Sequence, residues 1–311
     1  MHTKSILKNG TAAFCMALSF AACGEEDLTQ HGVAPSSIAD ITLDADMNDI
    51  RPEQPITASI VLPTGGENIS TTAYTWDMYN YPSDNVADGK AYYTFLAPDK
   101  SGNYTLEFHA RYTFIGPDVN GNIYKDLTST LDYTVTTCDI FSSKWGDNAA
   151  KTLEVHPSLM QNPSDNNIYF AQFDDRLSMI QSPKPQISRY YQFGAEGLEK
   201  ITEMEIFSNT KPDAYMSKFA LLCDRARREL GMTCEESYYV AEDNLNGSHT
   251  EFDVSLPVGE WDAAIGEKMQ SGAIRVFARL QHGRTEMLIS AFSTGNGNGE
   301  IYLVRDYTPA Q

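Results

Sequence analysis

The sequence predicts a mainly β protein in two parts: a β-sandwich over residues 40–138, then an α+β domain over residues 139–311 with an antiparallel sheet and two to three helices. Alternating apolar and polar residues recur in short runs up to about residue 137, which is the period of half-buried strands. Beyond that point, apolar residues at helical spacing appear between strand-like segments. A chain of 311 residues is long enough for about two domains, and its hydrophobic content of 41% supplies a core for each.

The first 22 residues have the layout of a secretory signal peptide. Lys4 and Lys8 form a positively charged start without acidic residues, and residues 12–22 form an uncharged, mostly apolar run. This run is too short to cross a bilayer, because a spanning helix needs about 20 apolar residues. It ends in two alanines directly before Cys23, and we expect cleavage at this point.

Residues 18–23, with the sequence Leu-Ser-Phe-Ala-Ala-Cys, resemble the lipobox of bacterial lipoproteins. In that family the cysteine thiol carries diacylglycerol and becomes the mature N-terminus, so the resemblance implies that Cys23 is lipidated and takes up fatty acids such as palmitate. Two acyl chains, at about 0.8 kcal/mol per buried CH₂, anchor a protein stably where one chain does not. An ordinary signal peptide with an incidental cysteine is the alternative.

The residues after the cysteine point to a location. Residues 24–27, Gly-Glu-Glu-Asp, resemble the acidic export signal of Bacteroidota lipoproteins that are carried to the outer face of the outer membrane. The resemblance implies display at the cell surface, and the periplasmic face of the outer membrane is the alternative. Large apolar residues are scarce up to position 39, so we interpret residues 23–39 as a lipidated linker.

Four alternating runs define the predicted sandwich. Their apolar members, which we expect to face the core, are Ile56, Ala58, Ile60 and Leu62, then Tyr74, Trp76 and Met78, then Tyr104, Leu106, Phe108, Ala110 and Tyr112, and finally Leu127, Leu131, Tyr133 and Val135. Turn signals rich in proline and glycine separate the runs, for example at residues 63–66 and 98–102. Short strands at this spacing predict a sandwich of about 100 residues.

Two segments of this region carry a resemblance. Residues 74–76, Tyr-Thr-Trp, and residues 99–106, Asp-Lys-Ser-Gly-Asn-Tyr-Thr-Leu, resemble the strand-C tryptophan and the tyrosine corner of Ig-like and PKD-like domains. The resemblance implies that Trp76 fills the space between two sheets and that the Tyr104 hydroxyl bonds to nearby backbone. In those families the module is generally a spacer or a binding platform, and the Ig/PKD-like β-sandwich is expected to serve in that way here.

Three helices are predicted in the second domain. They lie at residues 147–160, with Asp147 or Asn148 as the N-cap, at residues 212–230, where an apolar stripe repeats at helical spacing, and near residues 259–270. Predicted strands fall at residues 169–173, 190–193, 198–207, 274–280, 286–292 and 301–307, with a glycine-rich turn at 295–299.

The charge balance excludes one class of partner. Lys and Arg number 23 against 42 acidic residues, a formal net charge of −19. Nucleic acid would be repelled by this charge, and anionic lipid would not be held electrostatically. The expected partners are therefore the membrane, through the N-terminal lipid, and a protein or glycan ligand whose identity is unknown.

Motifs with a known chemical mechanism are missing. The sequence contains no H-E-x-x-H, G-x-S-x-G, P-loop or paired C-x-x-C pattern. Acidic alternation occurs twice, at residues 44–48 and 118–122, but both segments lack the glycine and the terminal glutamate of a calcium loop. We therefore expect no catalytic residue, no metal ligand and no cofactor. A calcium site built from loop carbonyls is the alternative.

Two further sites are predicted, one at a pair of cysteines and one at four tyrosines. Cys223 and Cys234 flank a glycine where the chain can reverse, so they either form a disulfide or leave Cys223 as a buried free thiol. Four tyrosines are candidates for stacking on sugar rings: Tyr79 and Tyr81 at strand ends of the sandwich, and Tyr238 and Tyr239 in a predicted loop.

These observations favour a non-enzymatic envelope lipoprotein that acts as a binding or interaction module. One alternative is a lipid-anchored hydrolase whose site converges in the α+β domain. The other is a component of a surface assembly.

Overall fold

The computed structural model describes residues 31–79, 91–116, 121–174, 186–208, 211–293 and 300–310, without the side chains of Tyr79 and Asp174. The fold is mainly β, with 52% strand and 14% helix, as the sequence predicted. Two compact units result: an N-terminal unit, residues up to Ile50 with Pro55–Thr136, and a C-terminal unit, Arg51–Gln54 with Thr137–Gln311. The sequence placed a boundary after residue 138 and did not indicate that residues 51–54 belong to the second unit.

The N-terminal unit is built from two antiparallel sheets. Its strands are β1 (Thr42–Leu43), β2 (Pro55–Ser59), β3 (Ile69–Tyr79), β4 (Tyr92–Leu96), β5 (Gly102–Ile115) and β6 (Asn122–Val135). They pair in the orders β1-β2-β4 and β3-β5-β6. Alternate residues of both sheets enter one shared core, so the described strands form the predicted sandwich.

Two residues of this unit lie as the resemblance implied. Trp76 is fully buried, and its ring lies between Phe108 of its own sheet, at 4.8 Å between centroids, and Tyr93 of the facing sheet, at 6.2 Å. The Tyr104 hydroxyl donates to the carbonyl oxygen of Lys100 at 2.8 Å. Both expectations are confirmed at the level of these contacts.

The C-terminal unit contains a nine-stranded antiparallel sheet within the described residues. The strands are β7 (Met160–Asn162), β8 (Asp165–Asp174), β9 (Gln186–Gly194), β10 (Gly197–Ser208), β11 (Thr233–Ala241), β12 (Thr250–Glu251), β13 (Ile274–His282), β14 (Thr285–Phe292) and β15 (Glu300–Pro309). Their order is β12-β11-β13-β14-β15-β10-β9-β8-β7. The helices are α1 (Ala149–Val155), α2 (Pro212–Glu229) and α3 (Ala264–Gln270).

One face of this sheet forms the core together with the apolar stripe of α2. The buried stripe consists of Met216, Phe219, Leu222, Cys223 and Ala226, as the helical spacing predicted. Full burial of a large apolar side chain contributes about 1.5–3 kcal/mol, so the stripe holds the helix on the sheet. None of the helices in the described ranges combines the length and apolar character that a bilayer crossing needs.

Three predicted elements differ from the structure. The first helix is shorter than residues 147–160, because Asn148 caps it by accepting from the Lys151 amide and it ends before Pro157. The third is divided into a 3₁₀ turn, Val258–Glu260, and α3. The loop predicted around residues 238–239 was wrong, since this segment is strand β11. The predicted turn at 295–299 lies outside the described residues.

Candidate functional site

Three charged residues stand side by side on the core face of the C-terminal sheet. In the register of neighbouring strands, Glu203 of β10 lies between Arg189 of β9 and Arg305 of β15. Alternate side chains of a strand share one face, and the neighbours of Arg305 on that face are the buried Leu303 and Tyr307. Glu203 and Arg305 are only 5% and 6% exposed, although residues of these types are rarely buried.

Both oxygens of Glu203 are engaged. Arg189 donates from Nε and Nη2 to Oε1, at 2.9 and 2.6 Å. Tyr307 donates its hydroxyl to Oε2 at 3.0 Å, and Arg305 Nε lies 3.3 Å from the same oxygen. We call these four residues the charged wall. Its carboxylate is hydrogen-bonded as completely as a buried charge requires.

The wall holds its charges against the effect of burial. Burial by itself would raise the pKa of Glu203, but the positive charges of Arg305 and Arg189, with the hydrogen bonds, hold that pKa below its ordinary value. Burial would likewise lower the pKa of Arg305, and the negative charge of Glu203 outweighs it, so the pKa is raised. Burial, followed by the charge of Glu203, raises the pKa of Tyr307. The carboxylate and both guanidiniums are therefore ionised.

Arg305 is the incompletely paired member of the wall. Its Nε and Nη2 atoms are buried, and no described residue forms a hydrogen bond with either of them. The carboxylate that it faces accepts its hydrogen bonds from Arg189 and Tyr307 instead. A buried polar group without a hydrogen bond costs about 1–3 kcal/mol, and more when it is charged.

The charged wall borders a cavity of about 420 Å³. Helix α2 covers it with Leu222 and Ala226, and the sheet contributes Ile187 and Met287 next to the wall. The volume lies in the range of small-molecule sites, which are typically about 300–1,000 Å³ and mostly apolar with a few convergent polar groups.

The mouth of the cavity carries strained backbone. Glu53, Phe141 and Ser142 line the cavity and have φ angles of 58°, 45° and 57°. Among the described non-glycine residues only Asn68, in the other unit, shares this left-handed conformation. The conformation costs about 1–2 kcal/mol per residue and concentrates at functional sites, where surrounding contacts enforce it. We call Glu53, Phe141 and Ser142 the lip.

Several contacts hold the lip in place. The Phe141 ring lies 3.7 Å from the Arg189 guanidinium and meets the Tyr307 ring edge-on at 5.0 Å. Its carbonyl oxygen accepts a hydrogen bond from His156 Nε2 at 2.8 Å, which requires the proton on that nitrogen. Burial, with the charge of Arg189, lowers the pKa of His156, so the ring is neutral at pH 7.

The segment that carries Glu53 is fixed to the C-terminal unit by a buried ion pair. Arg51 donates from both terminal nitrogens to Asp147, at 3.0 and 3.1 Å. The backbone amide of Arg51 also donates to Gln54 Oε1 at 2.9 Å, which closes the tight turn around Glu53. Such a bidentate pair is geometrically specific, and it positions this part of the lip.

The tyrosines singled out by the sequence lie elsewhere. Tyr238 stacks on Phe277 at 5.2 Å, and Tyr239 lies on the opposite face of β11, packed against the core. The two rings therefore cannot form a shared stacking surface, since successive residues of a strand face opposite sides. Tyr81 and the side chain of Tyr79 are outside the described part of the chain.

The other sites considered in the sequence are the cysteine pair, the acidic turn at residues 44–48 and Cys23. Cys223 and Cys234 are free thiols in the structure, and burial raises the pKa of Cys223. Residues 44–48 form a turn in which Asp44 and Asp46 accept backbone amides. No group of three metal-ligating side chains occurs in the ranges that the structure describes. Cys23 lies outside those ranges, and its lipidation stays a prediction.

Sequence reasoning missed the charged wall, although one signal was present. In residues 301–307 the buried face reads Ile301, Leu303, Arg305, Tyr307, so the alternation itself places an arginine on the apolar face. In residues 201–206, by contrast, Met204 and Ile206 suggest that the apolar face is the one opposite Glu203.

Comparison with other proteins adds no relative to this description. No family model, no curated protein and no solved structure matches the chain.

Proposed function

We propose that the chain is a lipid-anchored binding protein of the cell envelope whose C-terminal unit takes up a small molecule in the cavity beside α2. The observation that carries this proposal is the cavity itself, bordered by a buried charged wall and a strained lip. Buried charges and left-handed non-glycine residues both cost stability, and here they gather around one space of ligand size.

The chemistry of the wall favours binding over hydrolysis. A general base must be free to approach its proton and have a pKa near the working pH. Glu203 has a lowered pKa and accepts hydrogen bonds on both oxygens, so it is a weak base and cannot act as an acid near pH 7. His156 uses its protonated nitrogen to hold the Phe141 carbonyl oxygen. The site is therefore suited to hold and orient a ligand.

The location in the proposal comes from the N-terminal sequence. A lipid at Cys23 would tether the protein to the outer membrane, and the acidic residues 25–27 favour the cell surface over the periplasmic face. The N-terminal sandwich would then act as a spacer between the tether and the ligand-binding unit.

The test blocks the mouth of the cavity with a bulky side chain. Ser158 lines the cavity and is exposed, so Ser158→Trp should leave the core intact and obstruct access. Ser164→Trp is the matched control, because Ser164 is an exposed residue of the nearby β7–β8 turn that does not line the cavity. The full chain, purified in mild detergent, is screened against a small-molecule library by thermal unfolding.

A ligand present at about 100 times its Kd stabilises the folded state by about 2.7 kcal/mol. That corresponds to a rise in Tm of about 5–10 °C for a unit of this size. We expect the screen to find compounds that raise the Tm of the wild type and of Ser164→Trp by this amount. The same compounds should leave the Tm of Ser158→Trp unchanged. A wild type that responds to no compound, or a Ser158→Trp variant that responds like the wild type, would contradict the proposal.

A further inference from the structure

We infer that the ligand is a small organic monoanion, a carboxylate on an apolar body, and that Arg305 receives its charged end. This inference deepens the proposed function and rests on it.

The first argument is the charge balance around the cavity. Arg189 and Arg305 contribute two positive charges to the wall, and Glu203 contributes one negative charge. The other buried acid of this sheet face, Glu205, is paired with Lys218 at 3.5 Å. One positive charge is therefore left without a counter-charge in the wall.

The ionisable groups nearer the solvent do not change this balance. On α2, Arg225 lies 3.4 Å from Glu229, so these two lining residues compensate each other. Glu53 of the lip is exposed to water, which screens its charge. His156 is neutral. A ligand with a single negative charge neutralises the wall. A dianion would give the wall an excess of negative charge, and a neutral ligand would leave its positive charge uncompensated.

The second argument is the hydrogen-bonding capacity of Arg305. The residue lines the cavity, yet its buried Nε and Nη2 atoms form no hydrogen bond with any described residue. A guanidinium presents its donors as a planar fork that matches the two oxygens of a carboxylate. Arg189 donates both Nε and Nη2 to Oε1 of Glu203, and Tyr307 donates to Oε2. An arriving carboxylate would therefore give Arg305 the hydrogen-bonded partner that Glu203, with Oε2 at 3.3 Å from Arg305 Nε, does not.

The third argument concerns the rest of the ligand. Besides the charged wall, the cavity is lined by apolar side chains of both the sheet and the helix: Leu159, Ile187, Leu222, Ala226 and Met287. All five are buried, so an apolar body placed among them exchanges water for apolar contacts. Because the cavity measures about 420 Å³, the ligand is a small molecule rather than a chain segment.

The experiment compares isosteric probes by calorimetric titration of the full chain. Phenylacetate and hexanoate carry the carboxylate on an aromatic and an aliphatic body. Phenylacetamide replaces the charge by a neutral amide of the same shape, and phenylphosphonate at mildly alkaline pH supplies a dianion. Hydrogen bonds to a charged group lead us to expect that the preferred carboxylate binds about 10- to 100-fold more tightly than its amide, and more tightly than the phosphonate.

Variants assign the effect to Arg305. Arg305→Met removes the charge at similar length and should abolish the preference for carboxylate over amide. Arg305→Lys keeps the charge without the planar fork of donors and should retain part of this preference. Arg284→Met is the control, because Arg284 is an exposed arginine outside the cavity and its loss should change neither affinity. Thermal unfolding reports whether each variant folds. If Arg305→Met does not fold, the inference is still tested by the binding of carboxylate and amide to the wild type and to Arg305→Lys.

Three outcomes overturn the inference: equal binding of carboxylate and amide, a preference for the phosphonate, or an unchanged preference in Arg305→Met. Each of these leaves the proposed function standing when the probes fail to bind Ser158→Trp. If no carboxylate binds while the library yields other ligands of the cavity, the inference also fails alone. If the library yields no ligand either, the proposed function fails with it.

Discussion

Glu203, which is only 5% exposed, accepts hydrogen bonds from Arg189 and Tyr307. A buried ion pair of this kind adds little to stability compared with apolar packing, because the charges lose their hydration. Removal of one partner is far more costly, since the remaining charges stay buried without compensation. The network is therefore sensitive to any substitution that changes its net charge.

We expect Glu203→Gln to lower the free energy of unfolding by about 3–5 kcal/mol, because two guanidiniums then remain buried beside a neutral amide. Urea denaturation followed by circular dichroism measures this loss. The matched control is Glu199→Gln on the same strand, where the side chain is exposed and the expected change is below about 0.5 kcal/mol. Equal losses in the two variants would show that the wall is not a buried charge network.

The wild type and Glu203→Gln should also differ in how their stability responds to acid. The pKa of Glu203 is lower in the folded state than the ordinary value of 4.5, so its contribution is complete above about pH 4.5 and is lost as the pH falls through the folded-state pKa. The difference in unfolding free energy between wild type and Glu203→Gln should therefore narrow below about pH 4.5. A difference that stays constant down to the acid transition would contradict the lowered pKa.

His156 predicts a second pH dependence, near neutrality. Its pKa is lowered in the folded state by burial, so stability is complete above the unfolded-state value of about 6.5 and declines as the pH falls toward the folded-state pKa. His156→Gln retains a donor for the Phe141 carbonyl oxygen but does not titrate. Denaturation at pH 7 and pH 5 should show a loss in the wild type that this variant lacks, while His249→Gln, at an exposed position, behaves as the wild type.

Among the elements, the β9–β10 hairpin illustrates how closely the backbone packs. Gly197 has a φ of 102°, and a Cβ at this position would lie 2.2 Å from the carbonyl oxygen of Gly146. The neighbouring Leu198 exchanges backbone hydrogen bonds with this segment, to Asp147 at 2.7 Å and from Gly146 at 3.0 Å. The hairpin is therefore fastened to the segment whose Asp147 side chain pairs with Arg51.

Gly197→Ala should cost about 3 kcal/mol or more, because it adds a backbone clash to the strain of a positive φ. Gly283→Ala in the β13–β14 turn is the comparison, since its φ is 55° and no atom lies within 4 Å of the added Cβ. Strain alone predicts a loss of about 1–2 kcal/mol there. Thermal and urea unfolding should rank the two variants in this order, and the reverse order would contradict the close approach.

The elements that the sequence identified are those with a strong local pattern. Strand β5 and helix α2 have regular apolar periods: the helix was predicted to within one residue, and the alternating run at residues 104–112 lies within β5. Strand β11 was missed because its sequence, Thr-Cys-Glu-Glu-Ser-Tyr-Tyr-Val-Ala, has no apolar alternation. It is a strand because it pairs with β13, so its conformation depends on a partner distant in sequence.

For the molecule as a whole, the N-terminal lipid makes the most direct prediction. Labelled palmitate should enter the wild-type protein in cells and should be absent from Cys23→Ser, which should also leave the membrane fraction. Cys15→Ser is the matched control, because Cys15 lies within the apolar run of the signal peptide and should not affect labelling. Labelling of Cys23→Ser at the wild-type level would remove the membrane location from the proposal.

The sequence by itself determined the order of the two folds, the class of each, and the burial of Trp76 and Tyr104, because local periodicity specifies which residues face the core. The tertiary structure alone decided that Arg189, Glu203 and Arg305 meet. They come from three strands, and the pairing of β10 with β15 joins segments far apart in the chain. Such pairing follows from the packing of the complete sheet, so the cavity and its charge balance exist only after the unit has folded.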